Sequence, residues 1–316
     1  MNNKVRLIIL AAISIILISV FLFVDLGSNI SYILPRRGLK IIAIILTAFA
    51  IAYSTIIFQT ITNNRILTPS IIGLDSLYML IQTVIVFAFG STTLTMMNKN
   101  VHFLLSVGLM ILFAGILFRL LFKGEGRNIY YLLLVGLIFG TFFGSVSNFM
   151  EMLIDPNEFS VLQDKMFASF NNINSDILLI AVAFLIISVL YSLKFSKYLD
   201  VLSLGKEQAI NLGVNYDHVV KRLLIVVVIL VSVSTALVGP ITFLGLLVAN
   251  VAHQFMKTYK HKYLISGSVL ISIIALVGGQ LIVERVFTFS TTLSVIINFA
   301  GGVYFIYLLL KENKKW

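Results

Sequence analysis

The sequence predicts an all-α membrane protein with about ten spanning helices, because apolar residues dominate, charged residues are scarce and long apolar runs recur. Of 316 residues, 59% are hydrophobic and 11% are charged, and the mean hydropathy is +1.04. A soluble domain carries about a quarter of its residues as charged side chains. The missing polar surface indicates that hydrocarbon is the solvent for most of the chain.

Ten apolar stretches are each predicted to form a helix that crosses about 30 Å of hydrocarbon. They cover residues 7–25, 39–62, 71–90, 101–121, 129–153, 176–194, 219–238, 242–256, 264–284 and 294–311. The first follows Lys4 and Arg6 as in a signal peptide, but it has the length of a span and no small-residue cleavage site after it. We therefore predict a retained first helix and one membrane domain, residues 1–316. Gly239-Pro240, between the seventh and eighth stretches, predicts a tight turn or a broken helix pair.

The positions of Lys and Arg predict the orientation of these helices. With the N-terminus in the cytoplasm and ten alternations, 17 of the 23 basic residues fall on the inner side. The six on the outer side are Arg36, Arg37, Lys40, Lys99, Lys165 and Arg285. Both termini are therefore predicted to be cytoplasmic, in a multi-pass protein of the cell membrane surrounded by lipid. The same asymmetry accounts for the net charge of +10 without a nucleic-acid partner.

Two connections are too long to be simple turns. The outer one, residues 154–175, is polar enough to include a short interfacial helix. The inner one, residues 195–218, has Leu202, Ala209 and Leu212 separated by polar residues, with Gly205 and Gly213 as helix breakers. This pattern predicts one or two short amphipathic helices against the cytoplasmic face, with an ordinary solvated loop as the alternative.

The sequence lacks the signatures of a catalytic or metal site. There is no cysteine, no histidine with a partner at metal-ligand spacing, and no phosphate-binding G-x-x-x-x-G-K-[ST] loop. We predict no catalytic residue, metal or cofactor on this chain, so any ATP and Mg²⁺ would bind a separate chain. Asp75, Glu151 and Glu284 lie near predicted span ends and are interpreted as interfacial. Both an ion-coupled carrier and an intramembrane enzyme are therefore disfavoured.

Several motifs occur along the chain in a fixed order. In the first third they comprise Leu34, Pro35, Arg36, Gln59, Asn64, Pro69 and Gly73. Later they comprise Leu204, Gly205, Ala209, Leu212, Gly213, Val214, Gly239, Pro240, Ile241, Phe243, Gly245, Leu246 and Gly301. From about Leu34 to Leu310 the chain resembles the FecCD family, the permease subunits of importers for ferric siderophores, heme and cobalamin. It departs from the family pattern with Arg65 and Val303 in place of prolines, and with Asn250 and His253 in place of His and Arg.

The resemblance implies the fold of a type II ABC importer permease, which hydrolyses no ATP itself. The run around Asn64 and Pro69 is similar to one half of the two-permease systems for catecholate siderophores such as petrobactin. It implies a second permease in a heterodimer, with a homodimer as the alternative, two ATPase subunits and an extracytoplasmic binding lipoprotein. A permease for heme or cobalamin, or an ion-coupled secondary transporter, is the alternative function.

The resemblance also assigns roles to residues. It implies that Arg36, Arg37 and Arg285 dock the binding protein. The alternative is that they anchor the chain to lipid phosphates. Contact with the ATPase falls on Leu204, Gly205, Glu207, Ala209, Leu212 and Gly213. Gln59, Asn64, Pro69, Gly73, Gly239, Pro240 and Gly245 are structural motif residues.

The fifth predicted span supplies the candidates for the translocation pathway. Gly136, Gly140 and Gly144 recur every four residues and predict a face for close helix packing. Thr141, Ser145 and Asn148 follow a neighbouring stripe and are candidates to line a wetted cavity. The alternative is that these polar groups bond within the helix or to a neighbouring helix. Members of the family place this helix along the pathway, which assigns the pathway to Gly140, Thr141, Gly144, Ser145 and Asn148.

Overall fold

The computed structural model describes residues 2–25, 29–121, 129–171 and 173–313, and every regular element in them is helical. The α-helices are α1 (Asn3–Phe23), α2 (Ile30–Thr62), α3 (Leu74–Phe89), α4 (Ser91–Met96), α5 (Lys99–Leu121), α6 (Ile129–Glu151), α7 (Pro156–Met166), α8 (Ser175–Leu193), α9 (Ser196–Leu202), α10 (Lys206–Asn211), α11 (Tyr216–Val238), α12 (Leu244–Met256), α13 (His261–Arg285) and α14 (Leu293–Asn313). A 3-10 helix, Pro69–Ile72, precedes α3.

Each of the ten predicted spans overlaps one of the longer helices. Seven of these, α1, α2, α5, α6, α8, α11 and α13, are long and apolar enough to cross a membrane. The remaining three contain shorter apolar helices, namely α3, α12 and the part of α14 from Leu293 to Tyr307. One predicted boundary was wrong: α2 begins at Ile30 rather than at residue 39 and contains Pro35. A proline near the start of a long helix is tolerated, because the first turns need few backbone donors.

Contacts between distant residues define two ends of the bundle. The basic end comprises residues 60–66, 194–222 and 253–262, where Tyr216 Oη donates to the carbonyl of Ile61 at 3.3 Å. The opposite end comprises residues 21–25, 36–40, 151–171, 173–174 and 284–294, where the backbone N–H of Ala168 donates to Ser294 Oγ at 3.0 Å. Of the basic residues counted on the inner side, Lys123, Arg127, Lys314 and Lys315 lie outside the described residues.

Both terminal helices point toward the basic end. In α1, Arg6 Nη1 donates to the carbonyl of Met256 at 2.5 Å. In α14, Tyr304 Oη accepts from Gln254 Nε2 at 2.8 Å. The start of α1 and the later part of α14 therefore lie at the same end of the bundle.

Two helices, α2 and α11, form the centre of the bundle. In each, 72% of the most apolar 18-residue window is buried, against 17% in α1 and 22% in α8. Small residues of α2, including Ala43, Ala48 and Ala52, are fully covered and allow neighbouring helices to approach closely. The peripheral helices keep apolar faces exposed, which is the expected surface of a protein solvated by lipid.

Helices α3 and α12 begin inside the bundle instead of at its ends. Gly73, with φ +86°, precedes α3, and a Cβ there would lie 2.9 Å from the backbone nitrogen of Gly140 at the middle of α6. A Cβ at Gly245, near the start of α12, would lie 2.3 Å from Thr55 Oγ1. Glycine at these positions is therefore required by the close approach of two backbones, or of a backbone and a side chain.

The connections follow the sequence predictions in outline. Residues 154–175 contain α7, whose N-terminus is capped by Asp155 Oδ1 accepting from the Asn157 N–H at 2.8 Å. Residues 195–218 contain two short helices, α9 and α10. Residues 239–243 are a non-helical connection between α11 and α12, so the broken helix pair is found here rather than the tight turn. Gly239, with φ +100°, lets this connection pass Ala168, whose Cα would be 3.0 Å from an added Cβ.

Candidate functional site

The connection 203–214 forms a projection at the basic end, which we call the coupling segment. Gly205, with φ +102°, ends the turn after α9, and Gly213, with φ +81°, follows α10. Both lie in the left-handed region that favours glycine. The glycines predicted as helix breakers therefore set the bounds of two helices that are too short to bury both of their faces.

Three large apolar side chains of the coupling segment are exposed: Leu204 at 57%, Ile210 at 49% and Leu212 at 63%. Glu207 lies beside them and is also exposed. An exposed apolar patch with a polar rim is typical of a surface that binds another protein. Ile210 was missed in the sequence analysis because it is not a motif position; its place two residues from Leu212 in an otherwise polar helix was the available signal.

Ala209 does not belong to this exposed surface. Its side chain is fully buried, and its carbonyl accepts the backbone N–H of Val214 at 3.0 Å. Ala209 was assigned to the ATPase contact, and that role stays a prediction; in the protomer its side chain allows α10 to pack against the rest of its own chain. The motif residues of this segment thus divide into outward-facing leucines and an inward-facing alanine.

At the opposite end, Arg37 is used to close α1. Its Nη1 donates to the carbonyls of Phe21, Leu22 and Val24 at 3.1, 3.2 and 2.7 Å, and its Nη2 donates to the carbonyl of Asp25 at 3.1 Å. The last carbonyls of a helix have no partner within it, and the guanidinium supplies several donors in one plane. Arg37 therefore acts as a C-terminal cap supplied by α2.

Arg285 and Arg36 have different surroundings. Arg285, at the end of α13, pairs with the Asp25 carboxylate and donates to the Val24 carbonyl at 2.8 Å. Its side chain remains 35% exposed. Arg36 is exposed, and its guanidinium lies 4.2 Å from the ring centre of Tyr32. Of the three predicted docking arginines, Arg36 is thus the most accessible, and Arg37 makes the most hydrogen bonds within the chain.

Glycines of α6 serve helix packing, as predicted, but not along the whole face. Gly136 and Gly140 contact the backbone of residues 71–73, whereas a Cβ at Gly144 would meet no atom within 4 Å. Gly140, predicted to belong to the pathway, therefore faces the start of α3 in the protomer.

The polar stripe of α6 is exposed. Thr141 and Ser145 donate their hydroxyl protons to the carbonyls four residues earlier, each at 2.9 Å. This is the within-helix bonding that the sequence analysis held as the alternative to a pathway role. Asn148 is exposed and lines an open hollow with Glu151, Met152, Ile154, Pro156 and Phe159. The stripe thus offers a polar face that no other part of the described protomer covers.

Two departures from the family pattern meet in one contact. The turn after α2 carries Arg65 where the family has proline, and the carbonyl of Arg65 accepts from Gln59 Nε2 at 2.6 Å and from Asn250 Nδ2 at 2.9 Å. Asn64 Oδ1 accepts the Ile66 N–H at 2.9 Å. Side-chain hydrogen bonds therefore stabilise this turn, at which the family pattern has a proline.

The remaining structural motif residues lie at the sites where helices begin or end. Pro69 opens the 3-10 helix, and Pro240 follows Gly239 in the connection to α12. Gly73 and Gly245 make the close approaches described above. Two of them, Pro69 and Gly245, line one small region between α2, α11 and the starts of α3 and α12.

Asp75 lies in this region and is not interfacial, contrary to the sequence analysis. Its carboxylate accepts from Thr235 Oγ1 at 3.1 Å and also bonds to Ser70. It borders a cavity of about 20 Å³, which is room for about one water molecule. The hydroxyl groups around this cavity belong to Ser54, Thr55, Thr68, Ser70, Ser234, Thr235 and Thr242. Because α3 starts halfway along α6, a residue near a helix start is here deep in the bundle.

Other carboxylates lie nearer the opposite end. Glu284 pairs with Lys40 at 2.9 Å, and Glu151 accepts from Thr83 Oγ1 at 3.4 Å. Among the described residues, no three of His, Asp and Glu come together as a metal site would require.

The comparison with family models matches the FecCD transport family over residues 5–311. The chain belongs to the FecCD family. The predicted resemblance is thereby confirmed, and a transport family together with seven long apolar helices makes this FecCD chain a multi-pass membrane transport protein.

Named relatives of this FecCD chain include permeases of siderophore importers. The petrobactin import system permease protein YclO of Bacillus subtilis (strain 168) is 67% identical over 316 residues, covering 100% of both chains. In Bacillus anthracis, the petrobactin import permease FatC is 40% identical over 281 residues, 89% of this chain and 79% of that one. The FatD permease of the same organism is 25% identical over 283 residues, 87% of this chain and 80% of that one.

Among solved structures, a chain described as an inward-facing conformation of a metal-chelate type ABC transporter matches with a TM-score of 0.81. The match covers 98% of this chain and 100% of that chain at 21% identity. At this identity the similarity shows a shared fold, which agrees with the fold implied by the sequence motifs.

Proposed function

We propose that this chain is a permease subunit of an ATP-binding-cassette importer that carries a ferric siderophore of the petrobactin, catecholate type across the cell membrane. The observation that carries the proposal is the 67% identity, over the full length of both chains, to a permease named for petrobactin import. A metal held inside a chelate is hidden from the channel wall. The transported iron therefore needs no protein ligands along the pathway.

In this proposal the chain crosses the membrane ten times, with the basic end in the cytoplasm. The excess of Lys and Arg at that end supports the orientation. Helices α3 and α12 count as crossings although they are short, because the non-helical residues before each of them continue the path inside the bundle. Irregular backbone at this depth is tolerated where protein covers it.

The coupling segment is proposed to bind one of two ATPase subunits, which hold the ATP and Mg²⁺. Leu204, Ile210 and Leu212 supply an apolar surface outside the membrane-spanning helices, and Glu207 is placed to pair with a basic residue of the motor. ATP binding and hydrolysis in those subunits then move the helices and open the pathway to each side in turn. The permease itself performs no chemical reaction.

The opposite end is proposed to receive a binding lipoprotein that delivers the chelate. Arg36 and Arg285 carry the positive charge that would meet acidic residues of that partner. Exposed ion pairs contribute little to affinity singly, but they steer the encounter and fix the register of the complex. Arg285 would exchange its contact with Asp25 for one with the partner.

The exposed polar stripe of α6 is proposed to line the pathway, with a second permease on its other side. A pair of different permeases is favoured because Bacillus anthracis has two proteins named as petrobactin permeases, to which this chain is 40% and 25% identical. A homodimer is the alternative. The substitution Ser145→Phe would obstruct a pathway at this stripe, so uptake should fall while ATP hydrolysis continues; unchanged uptake would contradict this placement.

The function is tested in proteoliposomes that contain this chain, the second permease, the ATPase and the binding lipoprotein. Uptake of labelled ferric petrobactin should require internal ATP and every one of these proteins. Competition by heme or cobalamin at equal concentration would assign a different chelate. Uptake that continues without ATP and stops when ion gradients are dissipated would overturn the proposal in favour of a secondary transporter.

A further inference from the structure

Helix α13 begins at the basic end without a cap of its own. The residue before it, Lys260, makes no side-chain capping hydrogen bond. Instead, Asp200 Oδ1, from α9, accepts the backbone N–H of His261 at 2.9 Å. A carboxylate at the first N–H of a helix satisfies an unpaired donor and interacts favourably with the helix dipole. The cap of α13 is thus supplied by the helix that leads into the coupling segment.

The same carboxylate oxygen also contacts the side chain of His261. His261 Nδ1 lies 2.6 Å from Asp200 Oδ1, and His261 Nε2 lies 2.8 Å from Thr60 Oγ1 of α2. Thr60 Oγ1 also lies 2.8 Å from the carbonyl of Ile56, and when His261 Nδ1 carries the imidazole proton, the one hydroxyl proton of Thr60 donates either to His261 Nε2 or to that carbonyl. Three helices, α9, α13 and α2, are therefore joined by one continuous chain of hydrogen bonds, which we call the Asp200 clamp (Asp200, His261 and Thr60).

Burial and charge give the clamp a fixed geometry. His261 is 5% exposed and Thr60 is 8% exposed, so water does not compete freely for these hydrogen bonds. The Asp200 side chain is half exposed. Partial burial raises the pKa of Asp200, but the hydrogen bonds from His261 and the nearby positive charges outweigh it, so that its pKa lies below the ordinary value. Asp200 is consequently ionised and acts only as an acceptor at neutral pH.

We propose that the Asp200 clamp transmits displacement of the coupling segment to the membrane helices. The apolar contacts of α9, through Leu199 and Leu202, are not directional and tolerate sliding. Two hydrogen bonds to one carboxylate oxygen hold α9 in register with the start of α13. His261 then extends the connection to α2, which lies at the centre of the bundle. Asp200 is therefore a positioning residue that acts through His261, and the inference rests on the proposed importer function.

The test uses the complete importer in proteoliposomes, with ATP hydrolysis and siderophore uptake measured on the same preparation. Asp200→Ala should lower uptake per ATP by about tenfold, the factor expected for losing a hydrogen bond to a charged group. ATP hydrolysis should continue, because the leucines of the coupling segment are untouched. Asp200→Asn keeps an acceptor for the His261 N–H and should restore part of the ratio. Asp217→Ala is the matched control, since Asp217 is an exposed acid in the first turn of α11.

A double-mutant comparison separates a connected clamp from independent packing defects. Thr60→Val removes the far end of the chain with little change in shape. If both residues act through His261, uptake per ATP should be no lower in the Asp200→Ala, Thr60→Val double variant than in Asp200→Ala alone. If the fold-loss in uptake per ATP in the double variant equals the product of the two single losses, the proposal is overturned.

Two other results would also overturn it. One is an unchanged uptake per ATP in Asp200→Ala and in Asp200→Asn. The other is a parallel loss of hydrolysis, uptake and thermal stability, which is the result of a helix cap and nothing more. If Asp200→Ala does not assemble, Asp200→Asn with Thr60→Val gives the same comparison. Failure of the wild-type importer to take up siderophore would instead overturn the proposed function, which keeps the two failures distinct.

Discussion

The two ends of the bundle use their motif residues in opposite ways. At the basic end, Leu204 and Leu212 are more than half exposed, so the coupling segment projects an apolar surface with nothing of its own chain over it. At the opposite end, Arg37 and Arg285 already bind the end of α1. A motif therefore predicts where a residue lies in the fold. Whether its side chain is free to bind a partner protein depends on the residues around it.

The cause of the difference lies in the local backbone. The coupling segment contains α10, which has 6 residues, and directly follows α9, which has 7; such short helices have too few turns to bury two faces. The end of α1 has unpaired carbonyl groups, which attract donors from any helix within reach. Arginine reaches them because its guanidinium carries five donors on a long side chain.

The largest effect is expected from charging the exposed leucines. Leu204→Asp with Leu212→Asp places two carboxylates in the proposed ATPase contact and should weaken binding of the ATPase by about 30-fold or more, the size of a loss at an interface hot spot. Binding is measured on purified permease and ATPase in detergent. Asn211→Asp, an exposed neighbour, is the matched control. Equal binding of the double variant and the control would show that the ATPase binds elsewhere.

The next effect concerns Ala209, which shares the segment but faces inward. Ala209→Leu should destabilise the permease by about 1–3 kcal/mol, because extra methylene groups overpack a filled site. Thermal unfolding of the permease without partners measures this. Gln208→Leu, at an exposed position, should leave the unfolding temperature nearly unchanged. A full-stability Ala209→Leu permease that fails only with the ATPase would return Ala209 to the partner surface.

A smaller effect is expected at the opposite end. Arg36→Glu with Arg285→Glu should weaken docking of the binding lipoprotein by roughly tenfold, since exposed pairs are each worth about 0.2–1 kcal/mol and also steer association. The association rate should fall and depend less on salt. Lys262→Glu, exposed at the basic end, serves as the control.

The substitution Asp25→Asn tests the role of Arg285 at the same end of the bundle. It releases Arg285 from its intramolecular pair and should strengthen docking a few-fold if Arg285 contacts the partner. Weaker docking in Asp25→Asn would mean that Asp25 holds Arg285 in position for the partner. No change in the Arg36→Glu, Arg285→Glu variant would remove both arginines from the docking surface.

The smallest effect belongs to Arg37. Arg37→Met keeps much of the aliphatic length but removes the donors to the α1 carbonyls, and should cost about 1 kcal/mol of stability. Docking affinity should be unchanged, because these donors point into the protomer. A docking defect larger than that of Arg36→Glu, in a permease of normal thermal stability, would contradict the capping role.

Much of the fold could be predicted from the sequence because hydropathy is a local property of the chain. Ten apolar runs, the helix in residues 154–175 and the two helices in 195–218 were all found at the expected places. The start of α2 was misplaced, because the helix extends from the apolar run through the polar residues Arg36, Arg37 and Lys40 to Ile30. The depth of Asp75 was also wrong, since distance from a helix end says nothing about depth when the helix begins inside the bundle.

The sequence predicted which segments contain the candidate sites, but not which side chains of those segments are exposed. Motif positions located the coupling segment, but they did not separate Leu212, which is exposed, from Ala209, which is buried. They did not include Ile210, whose exposure completes the apolar patch. Nor did they include Asp200 and His261, which lie 61 residues apart and form a contact that no local pattern reports.

By itself, the sequence determined that this is a helical membrane protein of the FecCD family, where its helices lie, and which end is basic. These properties depend on residues close together in the chain, whose hydrophobicity and charge act without reference to the rest. Only the tertiary structure decided which glycines are required by a close approach, which arginines are already bound, and which side chains of the coupling segment face outward. Those properties depend on atoms brought together from distant parts of the chain, and packing alone brings them into contact.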